Sequence, residues 1–176
     1  MLQRYTFLNS KTLNIKILKK ANELFFIIYG PFGFTILKLK NTFLKKKDQQ
    51  LVFLQKEEFK SLKFSLNLMK SITKGLRNGF KIILELNGVG FKMTKDNNLM
   101  TFDLGFSHKV YYNIPNDLKI EIKKNKFLKI FGIILNYVTQ TAFRIKSLKK
   151  PDVYKGKGFR YRKELLVLKQ GKKNKK

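Results

Sequence analysis

Hydrophobic and polar positions alternate with period two through much of the chain. Leu13, Ile15 and Ile17 alternate with Asn14 and Lys16, the pattern of a strand buried on one face. Ile82, Leu84 and Leu86 alternate with Ile83, Glu85 and Asn87 until Gly88 and Gly90 break the run. After a turn at Lys95, Asp96, Asn97 and Asn98, the residues Met100, Phe102 and Leu104 alternate with Thr101 and Asp103 up to Gly105. Val110, Tyr112 and Ile114 then alternate up to Pro115, and the three runs together predict an antiparallel meander. A further hairpin is expected with Ile120 and Ile122 on one arm, Leu128 and Ile130 on the other, and Lys123, Lys124, Asn125 and Lys126 at its tip.

Two stretches change period. Leu62, Leu66, Met69, Ile72 and Leu76 recur at helical spacing over residues 59–77, with Asn78 and Gly79 as the stop. Ile134, Val138, Thr141, Ile145 and Leu148 do the same further on, and Pro151 ends that helix. At an offset of 75 residues Asn22, Glu23 and Leu24 fall on Asn97, Asn98 and Leu99, and Gly30 falls on Gly105. The helices fall near the same offset, so a repeated unit of strands, a glycine-marked turn, more strands and one helix is the simplest account.

Charge narrows the choice of partner. Thirty-nine Lys and Arg against 11 Asp and Glu give a formal net charge of +28 over 176 residues, and a fold so charged repels itself unless a polyanion is present. Neutralising about 6–10 phosphates would make affinity fall by about 10³–10⁵ between roughly 50 and 200 mM salt. Only Arg4, Arg77, Arg144, Arg160 and Arg162 are arginines, and only Ala21 and Ala142 are alanines. That bias is what A+T-rich codons supply, so the number of lysines says less than their placement. The uncharged stretches 24–37 and 130–143 are shorter than the ~20 residues of a spanning helix, and no membrane partner is expected. Residues 1–21 contain no acid; they read either as a transit segment or, from the alternation at Leu13 to Ile17, as part of the folded body.

Catalytic chemistry has few places to reside. There is no cysteine, and His108 is the only histidine, so His pairs, thiolate sites and serine triads cannot be assembled. No carboxylate pair suggests acid–base work, and neither Gly88-Val89-Gly90 nor Gly156-Lys157-Gly158 fits a nucleotide loop. The chain is therefore expected to be no enzyme, with no cofactor, no metal and no small-molecule substrate.

Residues 149–162 have a different character from a solvated charge run: Lys149, Lys150, Pro151, Asp152, Val153, Tyr154, Lys155, Gly156, Lys157, Gly158, Phe159, Arg160, Tyr161, Arg162. Glycines would let backbone N–H groups approach phosphate oxygens. Lys155 and Lys157 would neutralise charge, and Arg160 and Arg162 would grip phosphate in two places. Tyr154, Phe159 or Tyr161 would stack on unpaired bases or pack against the domain.

With these residues in view the chain resembles the large-subunit ribosomal protein six family. Residues 151–161 resemble its C-terminal signature, Asn87-Gly88-Val89-Gly90-Phe91 its glycine segment, and Leu104-Gly105-Phe106-Ser107-His108 a strand end, in family order and at similar distances. Tyr29-Gly30-Pro31-Phe32-Gly33 resembles the turn of its first repeat, while residues 43–56 lack a clear counterpart and Val153 stands where a second proline is frequent.

The resemblance implies an α+β fold of two similar tandem domains, each an antiparallel or mixed sheet with one helix packed on one face. Domains are expected at 1–79 and 80–160, followed by a basic tail at 161–176. It implies a structural constituent of the large ribosomal subunit that binds large-subunit rRNA near the sarcin–ricin loop and the translation-factor site, beside neighbouring ribosomal proteins. The RNA-binding positions would be Tyr154, Lys155, Gly156, Lys157, Gly158, Arg160 and Tyr161. Ser107, His108 and Lys109 form a second patch, and Lys149, Lys150, Arg162, Lys172 and Lys173 add charge. Residues 169–176 read as an arm that orders on RNA or as a solubilising end. A non-ribosomal RNA chaperone or RNA-processing accessory protein is the alternative. Codon bias favours a mitochondrial ribosome, then a plastid, then the cytoplasm of an A+T-rich organism.

Overall fold

The computed structural model describes residues 3–8, 13–20, 23–40, 42–47, 50–55 and 59–171, with side chains described at 13–18, 25–38, 64 and 67–171. The chain divides into two units, Met1–Gly79 and Phe80–Lys176.

In the first unit, β2 (Asn14–Lys20), β3 (Glu23–Gly30) and β4 (Gly33–Lys40) form one antiparallel sheet in the order β2-β3-β4. β1 (Gln3–Leu8), β5 (Thr42–Lys47) and β6 (Gln50–Gln55) form another in the order β1-β6-β5. The helix α1 (Phe59–Asn78) lies against β3 and β4 and buries Met69, Ile72 and Leu76. Gly79 ends it in the left-handed region (φ 66°) and donates its N–H to the Gly75 carbonyl, the stop expected of a glycine after a helix. Gly30 is where helix and hairpin meet, because a Cβ there would lie 2.8 Å from both the Cβ and the carbonyl oxygen of Leu76.

The second unit repeats this plan. β8 (Lys92–Asp96), β9 (Leu99–Asp103) and β10 (Val110–Asn113) form a sheet in the order β10-β9-β8. β7 (Phe80–Asn87), β11 (Leu118–Lys123) and β12 (Phe127–Gly132) pair as β11-β12-β7, the order of β5-β6-β1 in the first unit. The stretch 43–56, which has no obvious family counterpart in sequence, thus supplies β5 and β6, the equivalents of β11 and β12. One strand has no equivalent in the first unit's described residues: β13 (Gly158–Tyr161) adds to the outer edge of β7.

Alternation explains the core of this unit. Leu84 and Leu86 of β7, Leu128 and Ile130 of β12, and Leu118 and Ile120 of β11 share one buried cluster with Val138, Ala142 and Ile145 of α2 (Leu135–Leu148). Met93, Met100, Phe102 and Leu104 complete the cluster from the other sheet. The tip at Lys124 and Asn125 takes positive φ at both residues (53° and 49°), and the Lys126 N–H closes it on the Lys123 carbonyl.

Several expectations change. β7 does not join the meander of β8 to β10; the positive φ of Gly88 and Gly90 (152° and 80°) turns the chain, and β7 pairs with β12 and β13 instead. α2 stops at Leu148, before Pro151, because Lys149 is already extended and its carbonyl accepts from the Phe159 N–H. Residues 3–8 and 14–20 are strands. A boundary after residue 160 would cut β13, and the following residues fold back: the Lys169 N–H donates to the Val153 carbonyl.

Candidate nucleic-acid interface

The three sequence motifs converge on two aromatic rings. Phe91 closes a turn over Gly88, and its ring occupies the place that a Cβ on Gly88 would take. On its other side a Cβ on Gly105 would be 3.1 Å from Phe91 Cε1. Lys149, half-buried, places its Nζ 4.1 Å from the centroid of Phe106 and 5.9 Å from that of Phe91, in range of a cation–π attraction. Phe106 stacks in turn near His108, with centroids 6.3 Å apart and planes at 19°. Ser107, His108 and Lys109 are exposed beside them, with Ser107 Oγ 3.5 Å from His108 Nδ1. The structure therefore joins the patch at 107–109 to the start of the 149–162 segment.

Beyond Lys150 the chain forms a closed loop organised by Asp152. Its N–H donates to the Lys157 carbonyl, and its own carbonyl accepts from the Gly156 N–H, both at 2.9 Å. The carboxylate accepts from the N–H groups of Tyr154 (3.1 Å) and Lys155 (3.3 Å). This corrects the expectation of a backbone cradle for phosphate at Gly156: the N–H groups of Tyr154, Lys155 and Gly156 donate to Asp152, and that of Phe159 to the Lys149 carbonyl. What the loop offers outward is side chains, with Tyr154, Lys155 and Lys157 exposed around half-buried Gly156.

Gly158 is required for a different reason from the one read in the sequence. Its φ is 136°, and a Cβ would lie 2.5 Å from the Lys150 carbonyl oxygen and 2.8 Å from that of Lys149. The absent side chain makes room for the protein's own backbone. Phe159 then enters the core with no exposure and meets Phe102 edge-on, so of the two roles open to it, packing is the one found. Tyr161, half-buried, lies under Lys146 Nζ at 4.5 Å.

Arg160 of β13, and Arg162 just after the strand, lie on the face away from that core. Arg160 closes its fork on Glu85, with Nη2 at 2.8 Å and Nε at 3.0 Å from the same oxygen, Oε2. The expected two-point grip on phosphate is thus directed at a carboxylate of the neighbouring strand. Lys126 Nζ takes the other oxygen, Oε1, at 3.0 Å. Burial pushes the Glu85 carboxyl up, but the hydrogen bonds and charges of Lys126 and Arg160 outweigh it and hold the group below the usual carboxylate range. Exposed Arg162 places its guanidinium carbon 5.8 Å from the Phe127 centroid, and its N–H donates to the Ile83 carbonyl. Glu164 accepts from Lys146 Nζ at 2.6 and 2.7 Å and from the Tyr161 N–H at 3.0 Å, and these bonds, the Lys146 one first, lower its pKa. Lys172 and Lys173 lie outside the described residues.

Sequence reasoning missed Asp152, Glu85, Glu164, Phe91 and Phe106 as parts of this site. For the acids the signal was present in their rarity: with 11 acids among 39 bases each acid is worth locating, and Glu85, Asp152 and Glu164 hold this one segment. Among the described residues no group of His, Cys, Asp and Glu could hold a metal ion, and no helix is long and apolar enough to cross a membrane.

Comparison with known proteins identifies the family. The family model described as Ribosomal protein L6 matches residues 87–162, the span from the first glycine motif to Arg162. The chain is 32% identical over 164 residues to the large ribosomal subunit protein uL6 of Hydrogenobaculum sp. (strain Y04AAS1), covering 90% of this chain and 89% of that protein. It is 33% identical over 178 residues to the uL6m protein of Prototheca wickerhamii, covering 90% and 91%. Over 99 residues it is 46% identical to uL6 of Aquifex pyrophilus, covering 56% and 52%.

Proposed function

The chain belongs to the ribosomal protein L6 family, and from that premise we propose that it is a structural constituent of the large ribosomal subunit, without catalytic activity, that binds large-subunit rRNA. The observation that carries the reading is that two family motifs meet at Phe91 and Phe106 beside Lys149, whose carbonyl accepts from Phe159 of the third. A formal net charge of +28 supplies the long-range attraction.

In this reading Lys155 and Lys157 meet phosphates, and Tyr154 stacks on an unpaired base or ribose edge. Ser107, His108, Lys109 and Lys150 extend the contact along the 104–109 connection, and Lys172 and Lys173 add charge from the tail. Gly156 and Gly158 shape the loop, and Arg160 and Tyr161 hold its far end. The resemblance of residues 151–161 to the family signature supports a location near the sarcin–ricin loop and the translation-factor site, beside neighbouring ribosomal proteins. Composition supports a mitochondrial ribosome: lysine in place of arginine and two alanines in 176 residues fit an A+T-rich genome, and one relative carries the mitochondrial name uL6m.

Two measurements test it. The chain should cosediment with large subunits through a high-salt wash, and chemical footprinting of those subunits should show protection at the sarcin–ricin region that disappears when the protein is removed. Release in the wash would favour an RNA chaperone, and protection confined to another region would overturn the location.

A further inference from the structure

We propose that Glu85 is a positioning residue for this interface: fixed near the C-terminal end of β7, its carboxylate holds Arg160 and, through it, β13, so that the loop at 152–157 is presented to RNA in one geometry. The inference rests on the reading that this loop meets rRNA.

β13 is the addition to the duplicated plan, and it is a short edge strand of four residues. An edge strand so short has little ladder to fix it, and its lateral hold must come from side chains. On the core side that hold is Phe159. On the opposite face it is Glu85, which stands directly across from Arg160 in the register. Glu85 and Thr141 are the two buried polar residues among the described ones, and Glu85 is only 7% exposed.

A buried carboxylate is costly unless every lone pair is engaged, and here both oxygens are: Oε1 by Lys126, Oε2 by two nitrogens of Arg160. Chelation of one oxygen by Nε and Nη2 fixes the guanidinium plane, which a lysine could not do. Lys126 arrives from the β11–β12 turn, whose carbonyl also accepts the Leu86 N–H. The acid therefore ties three segments together: the C-terminal half of β7, the hairpin tip and β13. The loop lies immediately before β13 in the chain, so its exit direction follows from where Arg160 is held.

Charge arithmetic makes the opposite forecast, which gives the test its power. Removing an acid from a polycation should strengthen RNA binding and free Lys126 and Arg160 for phosphate, steepening the salt dependence by about 0.9 per phosphate contacted. A positioning role predicts the reverse sign.

The experiment compares full-length chain with Glu85→Gln and Arg160→Lys, using an rRNA fragment that contains the sarcin–ricin loop, at several salt concentrations and at a temperature where circular dichroism shows each protein folded. Glu85→Gln should bind about tenfold more weakly despite its added net positive charge, the size of one lost charge-assisted contact, with no steeper salt slope. Arg160→Lys, which leaves net charge unchanged, should fall by a similar factor. Amide exchange at Gly156 and Phe159 should accelerate in both variants, a readout that needs no RNA. Equal or tighter binding by Glu85→Gln with a steeper slope, or unchanged exchange in both variants, would overturn the inference. Failure of the unaltered chain to bind the fragment would instead sink the rRNA reading, and exchange alone would then decide the role of Glu85. If Glu85→Gln does not fold, Arg160→Lys decides.

Discussion

The ring of Phe159 meets the ring of Phe102 edge-on, with centroids 5.5 Å apart and planes at 87°. One ring belongs to the added strand β13 and the other to the centre of the β8–β10 sheet, so this contact locks the interface segment into the core of its unit. Phe159→Ala should cost about 3–5 kcal/mol, the usual loss for a buried phenylalanine, and Phe159→Leu less. Chemical denaturation of the two variants checks this. If Phe159 stacked on RNA instead, stability would be nearly unchanged and only affinity would fall.

The two glycines of the loop should respond very differently to the same change. At Gly158 a Cβ would strike backbone oxygens at 2.5 and 2.8 Å, atoms that cannot turn aside, so Gly158→Ala should displace β13 and lose several-fold in RNA affinity along with stability. At Gly156 the nearest atom is Leu168 Cδ2 at 3.6 Å, and only the left-handed φ of 64° is penalised, by about 1–2 kcal/mol. Thermal unfolding of both variants orders them; equal losses would mean that conformation, not space, governs both sites.

How far the sequence could be read follows from what each residue's neighbours are. Period-two alternation placed Leu84, Leu128 and Ile130 in the core because a strand's two faces are fixed by local geometry. The same alternation put Glu85 on the polar face, where it lies, but could not show that Arg160 would arrive 75 residues later to cover it. The offset between the halves is legible in the shared turn residues, whereas nothing in residues 158–161 announces β13, because strand addition depends on a distant edge. At Gly158 the space a Cβ would take is filled by the chain's own carbonyls, which the sequence cannot reveal: a missing Cβ looks identical in sequence whether phosphate or backbone fills the space.

Lysine side chains that reach outward should separate from those that hold the fold. Lys155 and Lys157 are exposed, with their surroundings set by the Asp152 turn, so Lys155→Ala and Lys157→Ala should each reduce the salt slope of rRNA binding by about 1 and leave the melting temperature within a degree or so. Lys146→Ala should do the opposite. Its Nζ holds Glu164 at 2.6 Å and lies over Tyr161, so melting temperature should fall while the salt slope stays. Filter binding across a salt series, with melting curves on the same samples, distinguishes the two classes.

Acid should loosen the segment in a defined direction. Glu164 is held below the ordinary glutamate range by Lys146 and the Tyr161 N–H, and Glu85 is held below it despite burial. A carboxyl depressed on folding contributes stability above its unfolded pKa of about 4.3, and that contribution is lost as pH falls through the lower folded value. Melting temperature should therefore hold from neutral pH to about 4.5 and then decline. Glu164→Gln should be less stable than the natural chain at pH 7 and converge with it in acid; a constant gap across the range would show that the hydrogen bonds, not the charge, carry the effect.

The second unit should stand alone. Its core, from Leu84 to Phe159, is drawn entirely from residues after Phe80, and every ion pair of the interface joins residues of the same unit. A fragment comprising residues 80–176 is therefore expected to unfold cooperatively, with a single transition by both near- and far-ultraviolet circular dichroism. Because the fragment keeps Lys149, the Asp152 loop and β13, its rRNA affinity should stay within about tenfold of the full chain, a difference of about 1.4 kcal/mol. A fragment that folds but binds a hundredfold more weakly would transfer a major share of recognition to residues 1–79, and would require the basic positions of the first unit to be counted as part of the interface.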